Sequence, residues 1–268
     1  MSVIEPAITS GENQKIKDFL AAKKQADFFF VEGKKIALEA LKAGVRPEVL
    51  SATPEFLSDM KQADIYYKLK QVSKDSFIVS EKLLRRFCET EEPQGIAFLA
   101  AREKHSPKKA LAGMSKRSIT VLLEGINDPG NYGAIIRTCL AAGVGTIITS
   151  KGSVSKYNPK VIRATMGAIF RTNIVEGVDF TEYLTLLKNH GVSIVATDLK
   201  AKECFWDAKI ELPVALVFGN ETHGISQTTL EQSDLRVKLP ITGDIDSLNL
   251  SVSAGILIFD LVRRFKLL

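Results

Sequence analysis

The chain has 268 residues, 45% hydrophobic and 25% charged, a composition that supports a sizeable globular core in one large domain or two ordinary ones. It shows no run near the roughly 18–20 apolar residues of a membrane span, no signal-peptide pattern in MSVIEPAITSGENQ, and only Cys88, Cys139 and Cys204, which argues against a disulfide framework or a CxxC metal site and for a reducing, cytoplasmic setting. The net charge of +5 is uneven: residues 1–117 hold 21 Lys+Arg against 16 Asp+Glu, while residues 118–268 hold 15 of each, so the N-terminal part presents either a merely solvated surface or one that binds a polyanion.

From the N-terminus, GENQKIKDFLAAKKQA has helical spacing, with Ile16, Phe19 and Leu20 on one face. FFFVEG reads as a short buried strand, and KKIALEALKAG as a helix stopped at Gly44. PEVLSAT is a strand, EFLSDMKQA a helix, and IYYKLKQVS is ambiguous. SEKLLRRFCE is a further helix opened by Ser80, and GIAFLAARE a closing strand. Short strands alternating with helices predict a small α/β domain over residues 1–101. REKHSPKKALAGMSKR, residues 102–117, has seven basic side chains counting His105, one acidic side chain, a proline and a glycine, and reads as a linker.

Residues 118–268 form the second expected domain. SITVLLEG, VGTIITS, VSIVATD, PVALVFG and LRVKLP read as strands; GAIIRTCLAAG, FTEYLTLLKNHG and LSVSAGILIFDLVRRF as helices; VIRATMGAIFRTNIV is mixed. Near-continuous Val/Ile/Leu strands predict a parallel sheet covered on both faces, hence an α/β fold. Three polar loops follow apolar strands: GINDPGNYG, GNETHGIS and ITGDIDSLN. In an open parallel sheet such loops line the ligand crevice at the carboxyl ends of the strands. GNYGAI is not GxGxxG, and GxxxxGK[ST], GxSxG and HExxH are absent, which weakens dinucleotide, ATPase-type, serine-hydrolase and zinc readings; no metal site is expected.

The order of these loops resembles the SpoU family of RNA ribose 2′-O-methyltransferases, of the TrmH type. The first motif is NYGAIIR, with Asn131 and Arg137; the second is FGNETHG, with Gly219 and Glu221; the third is LPITGDIDSLNLSVSAG, with Pro240, Ser247, Leu248 and Asn249. RATMGAIFR also looks like a family segment, and FFFVEGKKIALEAL with PQGIAF resembles, more loosely, the N-terminal substrate-recognition domain of many members. Thr222 and His223 stand where many members have small or acidic residues.

The resemblance implies a C-terminal parallel-sheet domain with a deep trefoil knot, a smaller N-terminal α/β RNA-binding domain, and a homodimer through the C-terminal domain. It implies S-adenosyl-L-methionine bound largely by backbone near Gly219, Leu239 and Leu248, and an RNA substrate, with rRNA favoured over tRNA. Asn131, Arg137, Glu221, Ser247 and Asn249 are the implied catalytic set. The guanidinium of Arg137 is a planar fork suited to an RNA phosphate; a role as base for the 2′-hydroxyl proton stays open. Helix capping is the competing role for Ser247 and Asn249, a plain loop carboxylate for Glu221, and a surface position for Arg137 and His223. A tRNA methyltransferase, a non-catalytic RNA-binding protein, and a nucleotide-dependent oxidoreductase or kinase are the alternative functions.

Overall fold

A computed structural model describes residues 5–103 and 105–267. Residues 1–4, Lys104 and Leu268, which fall at the ends of the two expected domains and inside the expected linker, lie outside the described residues. The chain divides into two compact units, Met1–Glu103 with Tyr157–Phe170, and Lys104–Lys156 with Arg171–Leu268.

The first unit contains α1 (Gln14–Lys23), β1 (Phe28–Glu32), α2 (Lys34–Lys42), β2 (Pro47–Ala52), α3 (Pro54–Ser58), α4 (Met60–Val72), β3 (Asp75–Ile78), α5 (Glu81–Leu84) and β4 (Ile96–Ala101). Its four-stranded sheet runs β1-β4-β2-β3, with β4 antiparallel to both neighbours and β2 parallel to β3. The apolar face of α1 drives Ile16 and Phe19 into a core with Phe30, Phe77 and Phe87, where Phe19 meets Phe30 and Phe77 edge to face. EFLSDMKQA, expected as one helix, is two. Asp59 is extended and its carboxylate accepts the Gln62 N–H at 2.9 Å, so it starts α4 instead of continuing α3. The ambiguous IYYKLKQVS then completes α4.

The second unit opens with α6 (Pro107–Ala112), inside the stretch that reads as a linker. Its Ala110 and Leu111 are buried in this unit's core. There follow β5 (Ile119–Leu123), α7 (Pro129–Ala141) and β6 (Thr146–Ser150). The chain then enters α8 (Pro159–Thr165), which belongs to the first unit, and returns through β7 (Asn173–Val178), α9 (Phe180–Asn189), β8 (Ser193–Thr197), β9 (Glu203–Cys204), β10 (Val214–Phe218), α10 (Gln227–Gln232), β11 (Leu235–Lys238) and α11 (Leu250–Arg264). The sheet has seven strands in the order β7-β6-β5-β10-β8-β11-β9, parallel throughout. On one face Leu122, Ile148, Ala196 and Val217 pack with Tyr183, Leu184 and Leu187 of α9; each such leucine contributes about 1.5–3 kcal/mol. α7 and α11 pack on each other. Among the described residues, no helix is long and apolar enough to cross a membrane.

Within the first unit, Tyr157–Phe170 is tied down by chemistry rather than by chain proximity. Tyr157 stacks on Phe29 with ring centroids 4.7 Å apart, and Arg163 pairs with the buried Glu32 at 2.8 Å. Gly167 has φ +92°, and a Cβ there would strike the Glu39 side chain, so RATMGAIFR needs glycine at this point on both counts.

Candidate active site

The carboxyl ends of β10, β8 and β11, adjacent in the sheet, open into a cavity of about 390 Å³, within the usual range for small-molecule sites. Leu199, Val237, Leu239, Leu248 and Leu257 supply its apolar lining, and Asn131, Asp198, Glu221 and Ser247 its polar lining. Apolar walls with two carboxylates and Lys238 suit a ligand with a flat apolar body and a charged end. Gly219, Leu239 and Leu248 all lie on this cavity, and of the expected catalytic set Asn131, Glu221, Ser247 and Asn249 do too.

The loop after β5 is less of a loop than its proline and glycines imply. Pro129 occupies the first turn of α7, whose cap is Asp128, with its carboxylate accepting the Asn131 N–H at 2.6 Å. An Asp-Pro pair is a helix-start signature, and that signal in NDPG places Asn131 on the first turn. The loop after β10 folds tightly back: Asn220 and Gly224 exchange backbone hydrogen bonds, and the Asn220 side chain accepts the N–H groups of Thr222 and His223. A Cβ on Gly219 would collide with the backbone of Gly224 and Ile225. The Asn220 amide also donates to the Gly125 carbonyl at 2.7 Å, joining this loop to the first.

Glu221 thereby projects to the first motif. Its carboxylate accepts the N–H groups of Asn127 and Asp128 at 3.4 and 3.3 Å and the Asn131 side-chain amide at 3.2 Å. Asn131 in turn accepts the Asn249 amide at 2.9 Å. Asn249 caps α11, its Oδ1 accepting from the Ser251 N–H at 2.9 Å and from the Ser251 hydroxyl at 2.7 Å. The direction of every bond follows from the two ends. A carboxylate only accepts and helix N–H groups only donate, which fixes how both asparagines face. Capping and bridging are therefore both performed by Asn249, while Ser247 is exposed on the cavity and is not the cap.

Arg137 is not gathered into this frame. It is exposed on α7, does not line the cavity, and makes no hydrogen bond or ion pair among the described residues. Helical geometry accounts for this: six residues after Asn131, a side chain points about 120° around the helix from it. His223 is also exposed and engages the loop through its backbone. Two residues that the sequence patterns did not single out complete the site. Asp198 ends β8 on the cavity, and Glu124 ends β5, accepting from the Ser226 and Thr229 hydroxyls at 2.7 and 3.0 Å and so holding α10 to the sheet.

The SpoU rRNA Methylase family model matches residues 118–259, which contain all three loops. The chain belongs to this family. An MRM3-like substrate binding domain matches residues 13–97. The SpoU chain is 31% identical over 260 residues to the Bacillus subtilis (strain 168) 23S rRNA (guanosine(2553)-2′-O)-methyltransferase RlmP, covering 95% of this chain and 98% of that one. It superposes on the crystal structure of an RNA 2′-O ribose methyltransferase with a TM-score of 0.78 at 29% identity, covering 98% of this chain and 100% of the other. The AdoMet-bound rRNA methyltransferase from Sinorhizobium meliloti gives a TM-score of 0.83 at 25% identity, covering 97% and 98%.

Proposed function

We propose that the protein transfers a methyl group from S-adenosyl-L-methionine to a ribose 2′-hydroxyl of RNA, with rRNA as the substrate. The observation that carries this reading is the hydrogen-bonded frame Glu221–Asn131–Asn249, which joins the three family motifs at the mouth of one cavity. The apolar lining suits the adenine, and the polar lining suits the hydroxyl and charged groups of the cofactor. When bound, S-adenosyl-L-methionine supplies an electrophilic sulfonium methyl. The residues of this chain then have to hold the target ribose in line with it, and positioning of this kind removes much of a barrier. Asn131, Glu221 and Asn249 keep the loops rigid around the reacting groups, and Ser247 offers a hydroxyl on the same surface. Arg137, exposed and unpaired among the described residues, grips an RNA phosphate beside the target.

The matched substrate-binding domain and the excess of positive charge before residue 118 support RNA binding by the N-terminal part. We further propose the trefoil knot that the family resemblance implies, supported by a parallel sheet in which β10 lies between β5 and β8. A homodimer is supported by α11, whose Val252, Ile256 and Phe259 form an exposed apolar stripe at i, i+4 and i+7. Three free cysteines and a ribosomal substrate support a cytoplasmic location. The test is to incubate the protein with methyl-labelled S-adenosyl-L-methionine and either rRNA or tRNA, and map ribose methylation. Label at a 2′-oxygen of rRNA is expected. Label only in tRNA, only on a base, or in neither RNA would overturn the reading.

A further inference from the structure

Asp198 lines the cavity with Glu221, and it lies outside the three motifs whose loops meet there. We propose that Asp198 accepts hydrogen bonds from the ribose hydroxyls of the cofactor's adenosine and so selects a ribonucleoside. The inference rests on the cofactor reading above. In the sheet order β10-β8-β11, the strand that Asp198 terminates is the middle one. Its neighbours end at Gly219 and Leu239, two of the positions proposed to hold the cofactor. The floor of the cavity between those positions is therefore Asp198. In a ligand with adenine at one end and a sulfonium centre at the other, the ribose is the part that lies between.

The carboxylate is held for this task. The Asp198 N–H donates to the Val237 carbonyl at 2.9 Å, which pins the residue to β11. Its Oδ1 accepts the Lys200 N–H at 2.9 Å, which fixes the side-chain rotamer. Thr197, just before it, donates its hydroxyl to the Val217 carbonyl at 3.0 Å, anchoring the strand end to β10. Oδ2 has no hydrogen bond among the described residues and Asp198 lines the cavity. An acidic residue at the carboxyl end of a parallel strand is the group that open α/β folds use for ribose hydroxyls. Here the strand is not the one that usually supplies it, and the phosphate-binding glycine turn is absent.

The experiment is calorimetric titration of the full chain and its Asp198→Asn variant with S-adenosyl-L-methionine, S-adenosyl-L-homocysteine, and the 2′-deoxy and 3′-deoxy forms of the latter. Asparagine keeps an oxygen for the Lys200 N–H, so the turn survives, and unchanged thermal unfolding verifies it. The variant should lose about tenfold in affinity for both the sulfonium and the thioether ligand, because a charge-assisted acceptor becomes a neutral one. The wild type should lose a similar factor for at least one deoxy ligand, and the variant should discriminate against that ligand much less. Equal discrimination by both proteins overturns the assignment. A loss confined to the sulfonium ligand also overturns it, in favour of simple charge attraction. If the wild type binds neither natural ligand, the cofactor reading itself falls, and this inference with it.

Discussion

The Asn249 side-chain amide donates to Asn131 Oδ1 at 2.9 Å across 118 residues of chain. That bond makes the start of α7 and the start of α11 one unit, and Glu221 closes it from the third loop. Because every bond in the line has a set direction, reversing one member should be worse than deleting it. Asn131→Asp removes the only donor facing Glu221 in this line and sets two carboxylates together. Adding Glu221→Gln restores a donor. A double-mutant cycle on thermal unfolding should return a favourable coupling of roughly 0.5–3 kcal/mol. Additive effects would mean that the frame is not coupled.

Arg137→Ala should lower the methyl-transfer rate by about 100- to 1000-fold, the typical effect of losing one charge-stabilising donor at a reacting centre. Affinity for S-adenosyl-L-methionine should hold, since Arg137 lies off the cavity. Arg137→Lys keeps a charge but not the fork, so its defect should persist as pH is raised. Strong rescue at high pH would favour a proton-acceptor role instead.

Val252, Ile256 and Phe259 are 50%, 38% and 44% exposed on α11. Sedimentation should find a dimer at micromolar concentration, and Ile256→Asp with Phe259→Asp should leave a folded monomer. A monomeric wild type would sink the proposed assembly.

RNA affinity should fall steeply with salt, because cations on the N-terminal part release counterions from phosphate. Replacing Lys34 and Lys35, both at the start of α2, with alanine should flatten the salt dependence by roughly one unit of slope for each phosphate that is no longer neutralised. An unchanged slope would place the RNA elsewhere. Full-length variants are the sound probe. Deleting residues 1–103 would uncover Val161, Ile162 and Ile169, which are buried in the first unit.

Glu32 is 5% exposed and its partner Arg163 is 28% exposed at the side chain. Glu32→Ala leaves the Arg163 guanidinium with the more distant Glu89 carboxylate at 3.9 Å, removes the acceptor of the Glu89 N–H, and should cost about 1.5–3 kcal/mol in urea unfolding. The double variant with Arg163→Met should recover part of that loss. A double variant no more stable than the single one would show that the charge is not the cause.

Strand and helix identity was legible in the sequence wherever the apolar period was long: SITVLLEG, PVALVFG, FTEYLTLLKNHG and the last helix all lie where their patterns place them. The three polar loops were legible too, since a turn-rich segment after a buried strand has few other places to go. Short elements were not. β9 has two residues, and α6 lay concealed in a basic stretch because Ala110 and Leu111 are too few to show a period. The break at Asp59 depended on which of two helices its carboxylate would cap. Tertiary structure alone decided the rest. Sequence order could not reveal that β8 lies between β10 and β11 and so puts Asp198 on the cavity floor, or that Tyr157–Phe170 packs with the N-terminal unit. Local patterns report which side chains prefer burial and where the backbone can turn. Which strand ends become neighbours depends on crossover connections and long-range pairing, and those are properties of the assembled sheet.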